Sequence, residues 1–247
     1  MSAYDDFSVC YDALTKDVDY SGRTSFILSL FEKYDRKPSL LLDLACGTGN
    51  FSFEFAKNGI EVIGVDPSEG MLSVAISKSE SGQGNPIFLN QSAEELDLFG
   101  TVDGAVCLLD SLNHIIDINA LQMAFDRVSL FLEKDRLFIF DLNTPYKHSE
   151  ILGNNCFIKE TENALCVWQN CCEDGKKVDI FIDLFVESED GSYRRFSEDF
   201  SEIAFVEDEI DGILEKSGLE KVAVLDAETK NSVIDTTERV LYIVRKK

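Results

Sequence analysis

Asp43-Leu44-Ala45-Cys46-Gly47-Thr48-Gly49-Asn50 joins a run of apolar residues to a helix-forming stretch. Gly47 and Gly49 permit a turn that a Cβ resists, and they let a ligand touch the backbone. The helix N-terminus beyond them offers free N–H groups to a carboxylate or phosphate. Asp66 follows Gly49 by 17 residues, at the end of a second apolar run. A carboxylate there can accept both hydroxyl hydrogens of a ribose diol, so turn and acid together point to an adenosine-containing cofactor. The dinucleotide fingerprint needs a third glycine, and Ser52 stands in its place. Asp43 beside the turn would repel a pyrophosphate and attract a cation. S-adenosylmethionine carries an ammonium and a sulfonium and no phosphate, so the electrostatics favour it over NAD.

These residues need a scaffold, and the apolar periodicity supplies one. Residues 39–44 read as a short parallel strand buried on both faces. Residues 50–57 read as a helix stopped at Asn58-Gly59, and 60–65 as a second strand. Ser68 caps a helix over 68–79, and 81–86 form a loop. Strands follow at 87–89, 102–109 and 137–142, with a helix over 119–132 striped by Leu121, Phe125, Val128 and Leu132. This alternation predicts an α/β fold: a doubly wound, Rossmann-like, seven-stranded and mostly parallel sheet. Before it, the first 35 or so residues look helical and aromatic-rich (Tyr4, Phe7, Tyr11, Tyr20, Phe26, Phe31, Tyr34). Between 145 and 206 the period changes to two, with Val178, Ile180, Ile182, Leu184 and Val186 on one face. Asp190-Gly191 turns that strand back into 192–205. The expected result is an inserted antiparallel β-sheet. A helix over 207–217 ends at Gly218, and 219–225 with 239–244 form a final antiparallel pair.

The expected organisation is an N-terminal helical lid (1–36), a cofactor-binding domain (37–144 and 207–247) and the inserted β subdomain (145–206). The inserted sheet would either cover a pocket or make a homodimer contact.

The chain has 247 residues and a formal net charge of −23, with 45% hydrophobic and 28% charged residues. That composition is globular, and the acidity repels phosphate backbones and anionic membranes, which disfavours DNA, RNA and membrane partners. Seven cysteines without a C-x-x-C pair, and only two histidines, give no metal site by spacing. With no export signal read at the start and no apolar run of 18 residues, a cytoplasmic location is expected.

Asp43–Asn50 followed by Gly64-Val65-Asp66-Pro67-Ser68-Glu69-Gly70-Met71-Leu72 resembles the motifs of class I S-adenosylmethionine-dependent methyltransferases. Tyr11–Leu14 with Val18–Tyr20 resembles the family's lid, and Asp110–His114 its segment after the fourth strand. Phe140–Thr144 resembles the end of the fifth strand, and Tyr193–Glu198 the inserted sheet of a small-molecule subgroup. The resemblance implies that Asp43, Ala45, Gly47 and Gly49 hold the methionine end of the cofactor and that Asp66 holds the ribose. It implies that Pro67 and Met71 shape the adenine side, that Ser92 and Ala93 meet the adenine edge, that Leu109 lines the methionine channel, and that Tyr20 closes from the lid. Relatives often have Asp at Ser92, His and Arg at Phe200 and Ile203, and Trp at Arg23.

Asp110, Asn113 and His114 fall where a methyl acceptor should lie, and His114 is the candidate base. His148 reads as surface loop, and Trp168, Phe181 and Phe185 as sheet packing. Cys46 reads as a packing residue, Cys171-Cys172 has no assignable role, and the acids Glu198, Asp199, Glu202, Glu207, Asp208 and Glu209 read as a solvated face. The expected activity is methyl transfer from S-adenosylmethionine to a small-molecule acceptor, amine nitrogen slightly favoured over oxygen. A non-catalytic S-adenosylmethionine-binding module and an NAD-dependent oxidoreductase are the alternatives.

Overall fold

The computed structural model describes residues 8–80, 85–188 and 190–247. Tyr4, Phe7, the side chain of Cys10 and most of the 81–86 loop lie outside the described residues.

The main sheet has seven strands: β1 (Leu40–Leu44), β2 (Glu61–Asp66), β3 (Ile87–Asn90), β4 (Gly104–Cys107), β5 (Leu137–Asn143), β10 (Leu219–Asp226) and β11 (Arg239–Lys246). Their order is β10-β11-β5-β4-β1-β2-β3. Only β11 runs antiparallel to its neighbours, pairing Leu241 with Asp141 on one side and with Leu225 on the other. The chain runs outward from β1 to β3, then crosses back to place β4 on the other side of β1. The carboxyl ends of β1 and β4 therefore flank a topological switch point, where such sheets leave a crevice.

Side chains alternate across the sheet and fill two cores. Leu42 and Leu44 pack with Phe125 and Val128 of α5 (Ile118–Phe131) and with Ile210 of α6 (Glu207–Lys216). Leu41 packs oppositely with Leu28 and Phe31 of α2 (Tyr20–Tyr34) and Phe55 of α3 (Asn50–Lys57). All seven residues of β5 are buried, as a central strand covered on both faces requires. The N-terminal stretch folds as two helices, α1 (Ser8–Leu14) and α2, because Asp19 caps the second by accepting from the Gly22 N–H. The fourth strand is shorter than 102–109, because Leu109 and Asp110 adopt left-handed backbone, with φ of 59° and 56°.

The second sheet has four antiparallel strands, not two: β6 (Cys156–Glu160), β7 (Ala164–Cys172), β8 (Lys177–Glu187) and β9 (Tyr193–Ile203). The β8–β9 hairpin is in the expected register around Gly191, whose φ is 78°. β6 escapes a pattern search because four of its five residues are exposed, so no apolar alternation marks it. The sheet's inner face, with Cys166, Ile180, Ile182 and Leu184, packs on Leu14 of α1 and Met71 of α4 (Glu69–Glu80). That contact lays the sheet over the carboxyl ends of the parallel strands. Among the described residues no helix is long and apolar enough to cross a membrane.

Candidate active site

The loop after β1 turns on three left-handed residues, Ala45, Gly47 and Gly49, with φ of 56°, 54° and 77°. A Cβ on Gly47 would meet nothing within 4 Å, whereas one on Gly49 would lie 2.9 Å from Phe88 Cζ. Gly47 thus keeps open space for a ligand, and Gly49 allows close packing at the start of α3. Asp66 pins the loop: its carboxylate accepts from the Gly47 N–H at 2.8 Å and the Ser68 N–H at 2.9 Å. Each oxygen keeps a second lone pair for a hydroxyl. Burial raises the Asp66 carboxyl above its ordinary range, although both N–H bonds work against it. Asp43 is 2% exposed and accepts from the Ser52 hydroxyl. Burial pushes its carboxyl up to about 7, the Ser52 bond opposing and the Asp66 charge adding to the rise.

Helix α1 is tied to this loop. Asp12 of α1 accepts from Thr48 Oγ1 at 2.6 Å and from Asn50 Nδ2 at 2.9 Å, and lies 2.6 Å from Lys78 Nζ. Tyr20 packs edge-on against Phe51, ring centroids 5.0 Å apart, and its buried hydroxyl has no hydrogen-bond partner among the described residues. A small recess beside it is lined by Asp43, Ala45, Gly47, Thr48, Leu109 and Tyr11, among others.

From this loop a cavity of about 990 Å³ extends under the second sheet. Ala45, Gly47, Asp66, Pro67, Met71, Ser92, Ala93 and Leu109 line its near half. Asp110, His114, Lys147, Glu202 and Arg239 line the far half, with Trp168 and Phe200 from the second sheet as walls.

The far half is built around Asn143 at the end of β5, which is 1% exposed. Its amide nitrogen donates to Asp110 Oδ2 and to Glu202 Oε2, the latter at 3.2 Å. Its amide oxygen accepts from Lys147 Nζ at 2.9 Å and Arg239 Nε at 3.4 Å. Arg239 Nη2 donates to Asp110 Oδ1 at 2.9 Å. Burial alone would raise the Asp110 carboxyl, but the Arg239 and Lys147 charges outweigh it and hold it at about 2. Burial lowers the Lys147 ammonium, with Asp110 opposing. Asp141 accepts from the backbone N–H groups of Leu109 at 3.0 Å and Asp110 at 2.6 Å, holding both in their left-handed conformation. Glu202 lies 3.6 Å from His114 Nε2 and 3.6 Å from His148 Nε2. The His114 ring packs on Phe200, centroids 5.0 Å apart.

Ten of the fourteen residues anticipated for the site line the large cavity: Ala45, Gly47, Asp66, Pro67, Met71, Ser92, Ala93, Leu109, Asp110 and His114. Tyr20 and Asp43 line the recess instead. Gly49 lines neither and serves the turn. Asn113 is not brought to the wall: it is wholly buried, donating to the carbonyls of Asn143 and Ile203 and accepting from the Asn143 N–H.

Two expectations are corrected. His148 is wholly buried rather than in a surface loop, because the wide helical turn Lys147–Leu152 directs Nδ1 to the Lys176 carbonyl at 2.8 Å. Glu202 is 5% exposed rather than solvated, because its strand position faces inward. Trp168 packs within the second sheet on Phe157, as expected, and also reaches the cavity wall, its indole N–H held by Asn170. Sequence reasoning missed Lys147 and Arg239: Lys147 bonds Asn143 only four residues away, but Arg239 reaches Asp110 across 129 positions, a pairing no local spacing shows.

The near half fits S-adenosylmethionine. Gly47 leaves open space, Tyr20 carries an orphaned hydroxyl and Asp43 supplies a carboxyl beside the recess. An open sheet of this strand order, with this loop and acid at its switch point, defines a class I methyltransferase.

Comparison with known proteins agrees. A model of the methyltransferase domain matches residues 41–135. The chain is 34% identical to an S-adenosylmethionine-dependent methyltransferase from Clostridium acetobutylicum ATCC 824, with a TM-score of 0.88 and 98% of each chain covered. It is 30% identical over 245 residues to YqeM of Bacillus subtilis (strain 168), named as a methyltransferase, covering 98% of this chain and 97% of that protein. A further relative named as a methyltransferase, from Geobacillus sp. (strain WCH70), is 29% identical over 246 residues, covering 98% of this chain and 99% of its own length. The chain belongs to the S-adenosylmethionine-dependent methyltransferases. Its cofactor is S-adenosylmethionine.

Proposed function

We propose that this enzyme methylates a small molecule, at an amine nitrogen in preference to an oxygen. The observation that carries this reading is the single cavity that joins the Asp66 end to the His114 end beneath the second sheet. A volume of about 990 Å³ suits a cofactor and a small acceptor together. The net charge of −23 weighs against a nucleic acid or an anionic membrane as acceptor.

In this reading Asp66 holds the ribose hydroxyls, Gly47 and Ala45 approach the methionine end, and Asp43 faces its positive charge. Pro67, Met71, Ser92 and Ala93 enclose the adenine, and Leu109 and Tyr20 close the channel. When bound, S-adenosylmethionine supplies an electrophilic methyl group on its sulfonium. The protein's share is to align the acceptor and exclude water, which lowers the barrier without a protein nucleophile. His114 orients the acceptor and takes its proton where one must leave. An amine delivered neutral needs little base during transfer, which suits a site whose cavity wall carries the half-buried His114 imidazole. The free cysteines of the described residues fit a reducing compartment, and we place the enzyme in the cytoplasm.

Titration of the purified protein with S-adenosylmethionine, S-adenosylhomocysteine and NADH tests the cofactor half. The first two bind in the micromolar range, and Asp66→Ala weakens them by about ten- to hundredfold, the loss of two charge-assisted hydrogen bonds. NADH binding without S-adenosylmethionine binding overturns the reading. Cofactor binding with no turnover on any acceptor of a broad amine and hydroxyl panel makes the chain a binding module.

A further inference from the structure

The Asn143 amide separates two groups with unspent hydrogen-bonding capacity. On its nitrogen side stands Glu202, 5% exposed, whose Oε2 accepts from Asn143 and whose Oε1 accepts no hydrogen bond among the described residues. His114 Nε2 lies 3.6 Å from that oxygen, beyond hydrogen-bond reach. On the oxygen side stands Lys147, whose ammonium donates to Asn143 and, among the described residues, keeps two N–H groups unspent. Both residues line the cavity. A partly buried ammonium and a buried carboxylate pay a desolvation cost that partners must offset. Asp110 and Arg239 are already matched to each other at 2.9 Å, so they do not answer that demand.

From this arrangement we propose that the acceptor carries an amine and a carboxylate on one small skeleton, the amine toward Glu202 and the carboxylate toward Lys147. This rests on the methyl-transfer reading above and names its substrate class. The pairing is selective in both directions. A simple amine leaves the Lys147 donors unanswered, and a simple acid leaves Glu202 facing a like charge. A phosphate is disfavoured: Asp110 and Glu202 already balance Arg239 and Lys147, so a dianion would meet no net positive charge. With the amine near His114, the reacting nitrogen lies on the side of the imidazole that Glu202 flanks.

The test uses the full-length protein saturated with S-adenosylhomocysteine. It is titrated with β-alanine, propanolamine and propionate, which share a three-carbon skeleton and differ in the groups at its ends. β-Alanine should bind at least about tenfold more tightly than either of the others, the value of one charge-assisted bond. Lys147→Met should reduce β-alanine to the affinity of propanolamine, and Lys147→Arg should restore the preference. Glu202→Gln should instead reduce β-alanine toward propionate. Propanolamine binding as tightly as β-alanine overturns the proposal, and so does the absence of binding by all three while S-adenosylhomocysteine binds normally. Failure of S-adenosylhomocysteine itself to bind would fall on the methyl-transfer reading, and this proposal would go with it.

Discussion

The Asp110 carboxylate accepts from the Arg239 guanidinium at 2.9 Å, across 129 positions of sequence. Arg239 Nη1 lies 3.9 Å from Glu228, and Glu228 is 2.7 Å from Arg23 on α2. Alternating charges thus run from α2 to Asp110 at the cavity wall. The pairs differ in burial. The Arg239 and Asp110 side chains are 11% and 19% exposed, the Arg23 and Glu228 side chains 29% and 52%.

The two ends of that chain should therefore respond differently. Arg239→Met leaves a buried carboxylate without its cation and should cost about 3–5 kcal/mol of unfolding free energy. Arg23→Met removes an outer pair and should cost less than about 1 kcal/mol. Urea unfolding followed by circular dichroism measures both. Equal costs would mean that Asp110 is balanced by Lys147 alone.

The two glycines of the cofactor loop separate folding from binding. Gly49→Ala combines positive φ with a Cβ 2.9 Å from Phe88, and should lower stability by about 1–3 kcal/mol. Gly47→Ala meets no neighbouring atom, so its stability cost is backbone strain alone, about 1 kcal/mol. Its new methyl group enters the ligand space, and S-adenosylmethionine affinity should fall more than in any comparably stable variant. Thermal unfolding paired with calorimetric titration distinguishes them.

Asp43 links cofactor binding to pH. Burial lifts its folded-state carboxyl to about 7, so folding takes up a proton between about pH 4 and 7. The Asp43 contribution to the free protein's stability is fully present below that window and declines as pH rises through it, so Asp43→Asn should flatten the pH dependence of stability between about pH 4 and 7. A cation beside Asp43 favours the carboxylate, so S-adenosylmethionine binding at pH 6 should release a proton. Affinity should then rise by about tenfold or less between about pH 6 and 8. Titrations in buffers of unlike ionisation enthalpy count that proton. No net release at pH 6 would place the cofactor's positive charge elsewhere.

His114→Ala separates nitrogen from oxygen acceptors. With an amine acceptor kcat should change by less than about tenfold, and with a hydroxyl acceptor it should fall about a hundredfold or more. Single-turnover rates at saturating cofactor read this directly. A large loss on an amine would assign His114 a proton-transfer role there too.

Asp141→Ala should cost about 2–4 kcal/mol, because it strips the Leu109 and Asp110 N–H groups of their acceptor while both backbones stay left-handed. Asp141→Asn should recover less than half of that, since its amide can accept one bond well but not two with a charge. Chemical unfolding of both variants makes the comparison.

The sequence alone determined the scaffold and the cofactor end, because both are written in local rules. Residues 50–57 announce a helix between Gly49 and Asn58-Gly59, and the structure places α3 over those residues. The apolar run before Asp43 and the acid at Asp66 mark two strand ends that parallel pairing must bring side by side. Only tertiary structure added Asn143, Lys147, Glu202 and Arg239 to Asp110 and His114. They come from β5, a wide helical turn, β9 and β11, and apart from the Asn143–Lys147 pair, four residues apart, no local spacing links them. Glu202 shares its stretch with acids that are solvated, and one step along β9 would turn it outward. His148 and β6 were illegible for the same reason: burial by a distant segment leaves no periodic trace in the buried segment itself. A cavity that accepts a small molecule is a product of long-range packing, and its charges acquire meaning only when the second sheet closes over the strand ends.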